Sequence, residues 1–180
     1  MAKSLRNKLQ QKAPEKEFFE EVLEIARVTR VVAGGRRMRF RVSVAVGNKN
    51  GLIGFGVGKA GEVITAIKKA VHEAKRSMMK VSIVDGTIVH PIHYKFKSAK
   101  ILLMPAGEGT GIIAGGAIRK ILELSGVSNV LSKSLGTSNP IALAQTTLQA
   151  LQAIEKSAQR YGIRKKGAEA KADKVEANNA

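Results

Sequence analysis

The sequence predicts an α+β protein made of two small domains. Three observations carry that expectation: an alternating basic and apolar run from Arg37 to Val46, a helical apolar stripe from Val63 to Ala74, and a later succession of strand, helix, strand and helix. The chain has 180 residues, 44% of them hydrophobic, which is enough to bury a core and long enough for one large domain or two small ones.

The first 17 residues carry Lys3, Arg6, Lys8, Lys12 and Lys16 without an apolar face, and read as a disordered basic arm that orders on a phosphate backbone. Residues 18–26 are open to two readings. The i, i+4 pairs Phe18 with Val22 and Glu20 with Glu24 suit a helix, whereas Val28, Thr29, Val31 and Val32 favour a strand from Arg27 onward. Gly34-Gly35 then predicts a hairpin turn built on a positive-φ dipeptide. In the following strand Met38, Phe40, Val42, Val44 and Val46 face one way, and Arg37, Arg39, Arg41 and Ser43 the other. Asn48 to Gly51 make a second turn, residues 52–57 a third strand, and a helix follows from about Gly61 with Val63, Ile64, Ile67, Ala70, Val71 and Ala74 inward. Three antiparallel strands and a helix on one face thus form a first unit over residues 18–81.

The second unit is expected over residues 82–159. Short β-branched runs cut by Asp85-Gly86 and Pro91 lead to a strand at 99–104 and a glycine-rich turn, Gly107 to Gly111. A helix over 113–124 ends at Gly126, a strand covers 127–135, and a helix over 141–158 buries Leu143, Thr147, Leu148, Leu151 and Ile154. The Ala/Lys/Glu-rich residues 160–180 read as a disordered tail.

Lys and Arg number 31 against 14 Asp and Glu, a formal charge of +17. Such an excess asks for a polyanion, and nucleic acid fits it better than a membrane surface. The longest apolar run, 101–106, is too short to span a bilayer, and residues 1–16 contain no apolar leader segment. The expected location is therefore cytoplasmic, with no membrane partner. Absence of cysteine excludes disulfides, a thiol nucleophile and cysteine-held metal. His90 and His93 fall on opposite faces of an extended stretch, His72 stands alone on a helix, and no carboxylate pair stands out. No cofactor, no small-molecule substrate and no enzymatic activity are expected. Aromatics are 4% and no base-stacking motif is present, which points to recognition of RNA backbone and shape.

The arginine strand is the strongest candidate site. Arg37, Arg39 and Arg41 recur about 6.6 Å apart along one face, close to phosphate spacing in an A-form helix, and each guanidinium can grip a phosphate with two parallel bonds. Gly34, Gly35 and Arg36 at the turn, with Lys49 and Lys59, complete the candidate RNA-binding set. Gly54-x-Gly56-x-Gly58-Lys59 departs from both nucleotide fingerprints, which leaves a strand-to-helix turn or an RNA-phosphate contact. The loop from Pro105 to Gly111 looks like the phosphate loop of GHMP-type kinases. Those enzymes are much longer, so a tight loop open to a neighbouring chain or RNA is preferred.

Four ordered motifs resemble one family. Val31-Val32-Ala33-Gly34-Gly35-Arg36-Arg37-Met38-Arg39-Phe40, Gly54-Phe55-Gly56-Val57-Gly58-Lys59-Ala60, Gly107 through Gly116, and Ser138-Asn139-Pro140-Ile141 look like the bacterial small-ribosomal-subunit S-five proteins, over residues 18–155. The resemblance implies a double-stranded-RNA-binding-like first domain, extended rather than helical after Phe18. It also implies a second βαβα domain with a left-handed crossover. It further implies binding to small-subunit ribosomal RNA at the back of the body near the head junction, contacts with ribosomal proteins S-four and S-eight, a place lining the mRNA entrance, and an effect on accuracy. By the same resemblance, spectinomycin-resistance changes fall near the Val32 to Arg36 loop, and Gly111 and Arg119 lie at the S-four interface. Ala33 replaces the family's usual Lys in that loop, and the tail from Arg160 exceeds the usual length.

Overall fold

The computed structural model describes residues 18–160. The expected arm and tail lie outside the described residues, apart from Arg160, which ends the last helix. Strands β1 (Phe19–Val32), β2 (Gly35–Gly47), β3 (Leu52–Ala60) and β4 (Met79–Lys80) form one antiparallel sheet in that order, with α1 (Val63–Arg76) between β3 and β4. A second sheet has the order β5 (Ile92–Phe96), β6 (Ala99–Pro105), β8 (Val130–Leu135) and β7 (Ile112–Ile113). Helix α2 (Gly116–Ser125) connects the parallel pair β7 and β8, and α3 (Pro140–Arg160) follows β8.

Residues 19–26 are strand, which resolves the open reading against a helix. β1 pairs with β2 from Phe19↔Gly47 to Val32↔Gly35, with one irregularity between Val22 and Glu24. A helix of about nine residues gains too few local bonds to compete with so long a ladder. The first turn also differs from expectation. Val32↔Gly35 brackets Ala33-Gly34, and only Gly35 takes a positive φ, 142°. The sheet gains a two-residue fourth strand, β4, beyond the three expected.

α1 lies directly on β3. A Cβ added at Gly54, Gly56 or Gly58 would come within 2.1 to 2.2 Å of the carbonyl oxygens of Ala74, Ala70 and Ala66. The buried stripe of α1 is therefore Ala66, Ala70 and Ala74, and Ile64, expected inward, is 68% exposed. Val42, Val44 and Val46 of β2 complete this small core.

The other face of the first sheet helps to build the second core. Ala45, Ile53 and Phe55 join Ile101, Leu103, Ile118, Ile121, Leu122, Leu151 and Ile154. This is why Ser43, expected on the outer basic face, is buried: the root of β2 is covered on both sides. The junction is also hydrogen-bonded. Lys49 N–H donates to Leu124 O (3.0 Å) and Gly51 N–H to Ser125 O (2.9 Å). Gly126 ends α2 at φ 93°, where a Cβ would lie 2.0 Å from Lys49 O. Lys120 Nζ donates to Val22 O (2.7 Å) and pairs with Glu21 (3.2 Å).

In the second domain α2 starts at Gly116, later than expected, because Ile112–Ile113 are drawn into the sheet beside Val130 and Leu131. β8 likewise begins at Val130 and not at 127. Asn139 caps α3 by accepting Ile141 N–H at 3.1 Å, with Pro140 at its start. Leu103 is fully buried in the shared core. Leu103→Ala is expected to cost about 2–5 kcal/mol and to lower the urea midpoint of both sheets together, read by far-ultraviolet circular dichroism.

Candidate nucleic-acid interface

β3 pairs with β2 only from Phe40 to Gly47. Beyond that, β1 and β2 continue as a two-stranded ribbon from Val28↔Arg39 to Val32↔Gly35, about 16 Å long at 3.3 Å per residue. Residues 27–39 include five arginines and no acid. The β1–β2 register sorts them. Arg30 lies opposite Arg37, and Val28 opposite Arg39, so Arg30, Arg37 and Arg39 share one face. Arg27 and Arg36 share the other with Thr29, Val31 and Met38, and the Arg27 guanidinium contacts the Met38 sulfur. Arg27, Arg30, Arg36, Arg37 and Arg39 are all exposed.

The expected set is brought together in part. Arg41 and Lys59 are cross-strand partners and continue the arginine face toward the body of the sheet. Arg41 differs from expectation in being half-buried, with Nη2 3.7 Å from Glu24 Oε2. The acid comes from the neighbouring strand, so counting β2 alone could not reveal it. Glu24→Gln should free this guanidinium. The log–log salt slope for duplex RNA is expected to steepen by at most about 0.7–0.9, one phosphate's share, in a filter-binding titration.

Gly34 and Gly35 form the ribbon tip, where an added Cβ would meet nothing within 4 Å, so a sugar–phosphate chain has free access to the backbone. Lys49 stands apart. It sits in the β2–β3 turn, docked on α2, with Nζ 4.3 Å from the Phe19 ring centroid, ten residues along from Arg39 or about 33 Å at 3.3 Å per residue. Gly54, Gly56 and Gly58 turn the side where a Cβ would stand toward the backbone of α1, so their primary role is to seat that helix.

Arg30 and Arg27 were missed by reading β2 alone. The two-residue turn supplies the signal, since it fixes which β1 residue faces each arginine. Lys68, Lys69 and His72 were likewise missed as site residues. With Lys59 they line a groove of about 750 Å³ beside β3 that contains the single carboxylate of Glu73. Gly111 (φ 72°) donates its N–H to Asn129 Oδ1 at 2.9 Å and accepts from Val130 N–H at 3.1 Å. Arg119 is exposed on α2 and holds Glu123 at 3.0 Å. The two flank β7 and the start of α2 on the surface of the second domain.

Among the described residues no cluster of His, Asp or Glu could hold a metal ion, and no helix is long and apolar enough to cross a membrane. What the ribbon offers chemically is fixed cations without a carboxylate among them, suited to gripping phosphates and unsuited to turnover.

Residues 18–82 match the family model described as Ribosomal protein S5, N-terminal domain, and residues 94–162 match Ribosomal protein S5, C-terminal domain. The chain belongs to the ribosomal protein S5 family. The first match spans the ribbon-bearing sheet and α1, the second most of the other sheet with α2 and α3, including Gly111 and Arg119. A relative, the small ribosomal subunit protein uS5 of Thermotoga petrophila, is 49% identical over 136 residues, 76% of each chain. The family is one of structural ribosomal proteins and not of enzymes.

Proposed function

We propose that this protein is a structural constituent of the small ribosomal subunit and holds small-subunit ribosomal RNA through its projecting arginine ribbon. The observation that carries the reading is the ribbon itself: five arginines and no acid over residues 27–39 of the hairpin, extending past both hydrophobic cores. Arg30, Arg37 and Arg39 contact phosphates on one face, Arg36 and Arg27 on the other. Gly34 and Gly35 allow close approach at the tip, and Arg41 and Lys59 extend the track toward the groove at Lys68 and Lys69. Lys49, at the opposite end, serves a separate contact.

Within the subunit the chain sits at the back of the body near the head junction and lines the mRNA entrance. Gly111 and Arg119 face ribosomal protein S-four, a contact that tunes accuracy, and S-eight is a second neighbour. Residues 18–81 act as the RNA-binding module and 82–159 as the module that meets other proteins. The reading as a small phosphotransferase keeps only one of its two glycine loops, because α1 packs on Gly54, Gly56 and Gly58 while Gly107, Gly109 and Gly111 stay open, and the family is one of structural ribosomal proteins.

Sedimentation of tagged protein through a gradient containing magnesium tests the proposal. The chain is expected to migrate with small subunits and to leave them as salt rises. Migration as free protein at low salt, or saturable magnesium–ATP binding by calorimetry, would overturn it.

A further inference from the structure

Among the described residues the second sheet has one buried face: Ile101, Leu103 and Val130 point into the core beside α3, whereas the outward positions of the opposite face lie outside both cores. The register arranges that open face in three cross-strand rows. Lys95, Lys100 and Leu135 form the first, and His93, Leu102 and Lys133 the second. Met104, Leu131 and Ile113 form the third.

An open antiparallel face is ordinarily polar. Here five outward positions are aliphatic, and none belongs to either hydrophobic core. Met104 is 38% exposed, Leu135 45% and Ile113 55%. The remaining positions are three lysines and a histidine, and the strands supply no acid to this face. Lys95 and Lys100 stand directly opposite each other, an arrangement that costs stability until an anion neutralises it.

We propose that this face docks an acidic amphipathic helix of a neighbouring protein, which supplies the missing third layer of a helix–sheet–helix sandwich. The apolar row receives the helix stripe, and carboxylates bordering that stripe reach Lys95, Lys100 and Lys133. A nucleic-acid occupant fits less well: aliphatic side chains add nothing to phosphate binding, and the face sets a single ring, His93, against five aliphatic positions. The inference rests on the chain working inside a multi-protein particle, as proposed above, and uses a surface separate from the arginine ribbon.

The test compares lysine acetylation in the free chain with that in assembled small subunits, combined with zero-length carbodiimide coupling of amines to carboxylates. Lys95, Lys100 and Lys133 are expected to lose at least about tenfold in reactivity on assembly, as groups sealed inside an interface do. At least one is expected to couple to an Asp or Glu on a helix of a protein neighbour. Unchanged reactivity would overturn the proposal, as would protection accompanied by ultraviolet cross-links to ribosomal RNA. The variant Lys95→Glu with Lys100→Glu and Lys133→Glu should set like charges against the incoming carboxylates and lower the chain's incorporation into small subunits, with Lys→Gln at the same positions as the milder form should the first not fold. Duplex-RNA binding by the isolated Lys→Gln chain is read separately. If that binding proves insensitive to the ribbon arginines the RNA reading fails, whereas reactive lysines in the subunit sink only the docking face.

Discussion

Replacing Arg30, Arg37 and Arg39 together with Ala should lower the magnitude of the log–log salt slope for duplex RNA by about 2–3. Three phosphate contacts at 0.7–0.9 each give that figure, and at 0.1 M salt the same counterion release corresponds to an affinity loss on the order of 100- to 500-fold. Stability should hardly change. All three side chains are exposed on a ribbon that belongs to neither core, and substitutions of that kind usually stay within about 0.5 kcal/mol. The three act together because the register puts them on one face, Arg30 opposite Arg37 and Arg39 one pleat further on. Lys49→Ala serves as the contrast. It sits at the far end of the sheet against α2, so it should remove no more than one phosphate's share and leave the ribbon's contribution intact. A fluorescence-anisotropy titration over several salt concentrations measures both. A slope unchanged in the triple variant would remove the ribbon from the RNA site.

The parts of this molecule legible in its sequence are those whose pattern is set locally. Alternation from Met38 to Val46 identified β2 and its arginine face, and Asn139-Pro140 with Leu143, Thr147, Leu151 and Ile154 marked the start and buried face of α3. The illegible parts depend on partners distant in the chain. Ser43 and Ala45 alternate as though facing water, yet both are buried because the second domain docks on that side. The stretch after Phe18 has helical spacing, and only a partner strand distant in the chain, from Phe19↔Gly47 to Ala26↔Arg41, makes it extended. Arg41 looked free until β1 brought Glu24 across to it. Ile64 has the spacing of a buried position, but the glycine bed of β3 accepts the alanine stripe of α1 in its place.

The glycine motif of β3 shows why a local pattern can leave its own meaning open. Gly-x-Gly-x-Gly permits a close approach to the backbone without specifying whether a phosphate or a helix makes it. The structure puts α1 there, and a substitution separates the two roles. In Gly56→Ala the new methyl would start 2.2 Å from Ala70 O and 2.5 Å from Ala74 N, both main-chain atoms. No rotamer change relieves such contacts, so α1 must move away from the sheet and loosen Val42, Val44 and Val46 beneath it. The expected cost is at the upper end of the 1–3 kcal/mol typical of overpacking, about 3 kcal/mol, and Gly56→Val should exceed it. Trimming the facing residue with Ala70→Gly should not restore stability, since the obstruction is its carbonyl and not its methyl. Gly34→Ala, at a site with open space and no positive φ, should leave the urea midpoint nearly unchanged. A phosphate cradle would give the reverse result, with Gly56→Ala folding normally and losing only its affinity for anions. Urea denaturation of these variants, with RNA affinity measured in the cold where the folded fraction is high, decides whether these glycines exist for a helix or for a ligand.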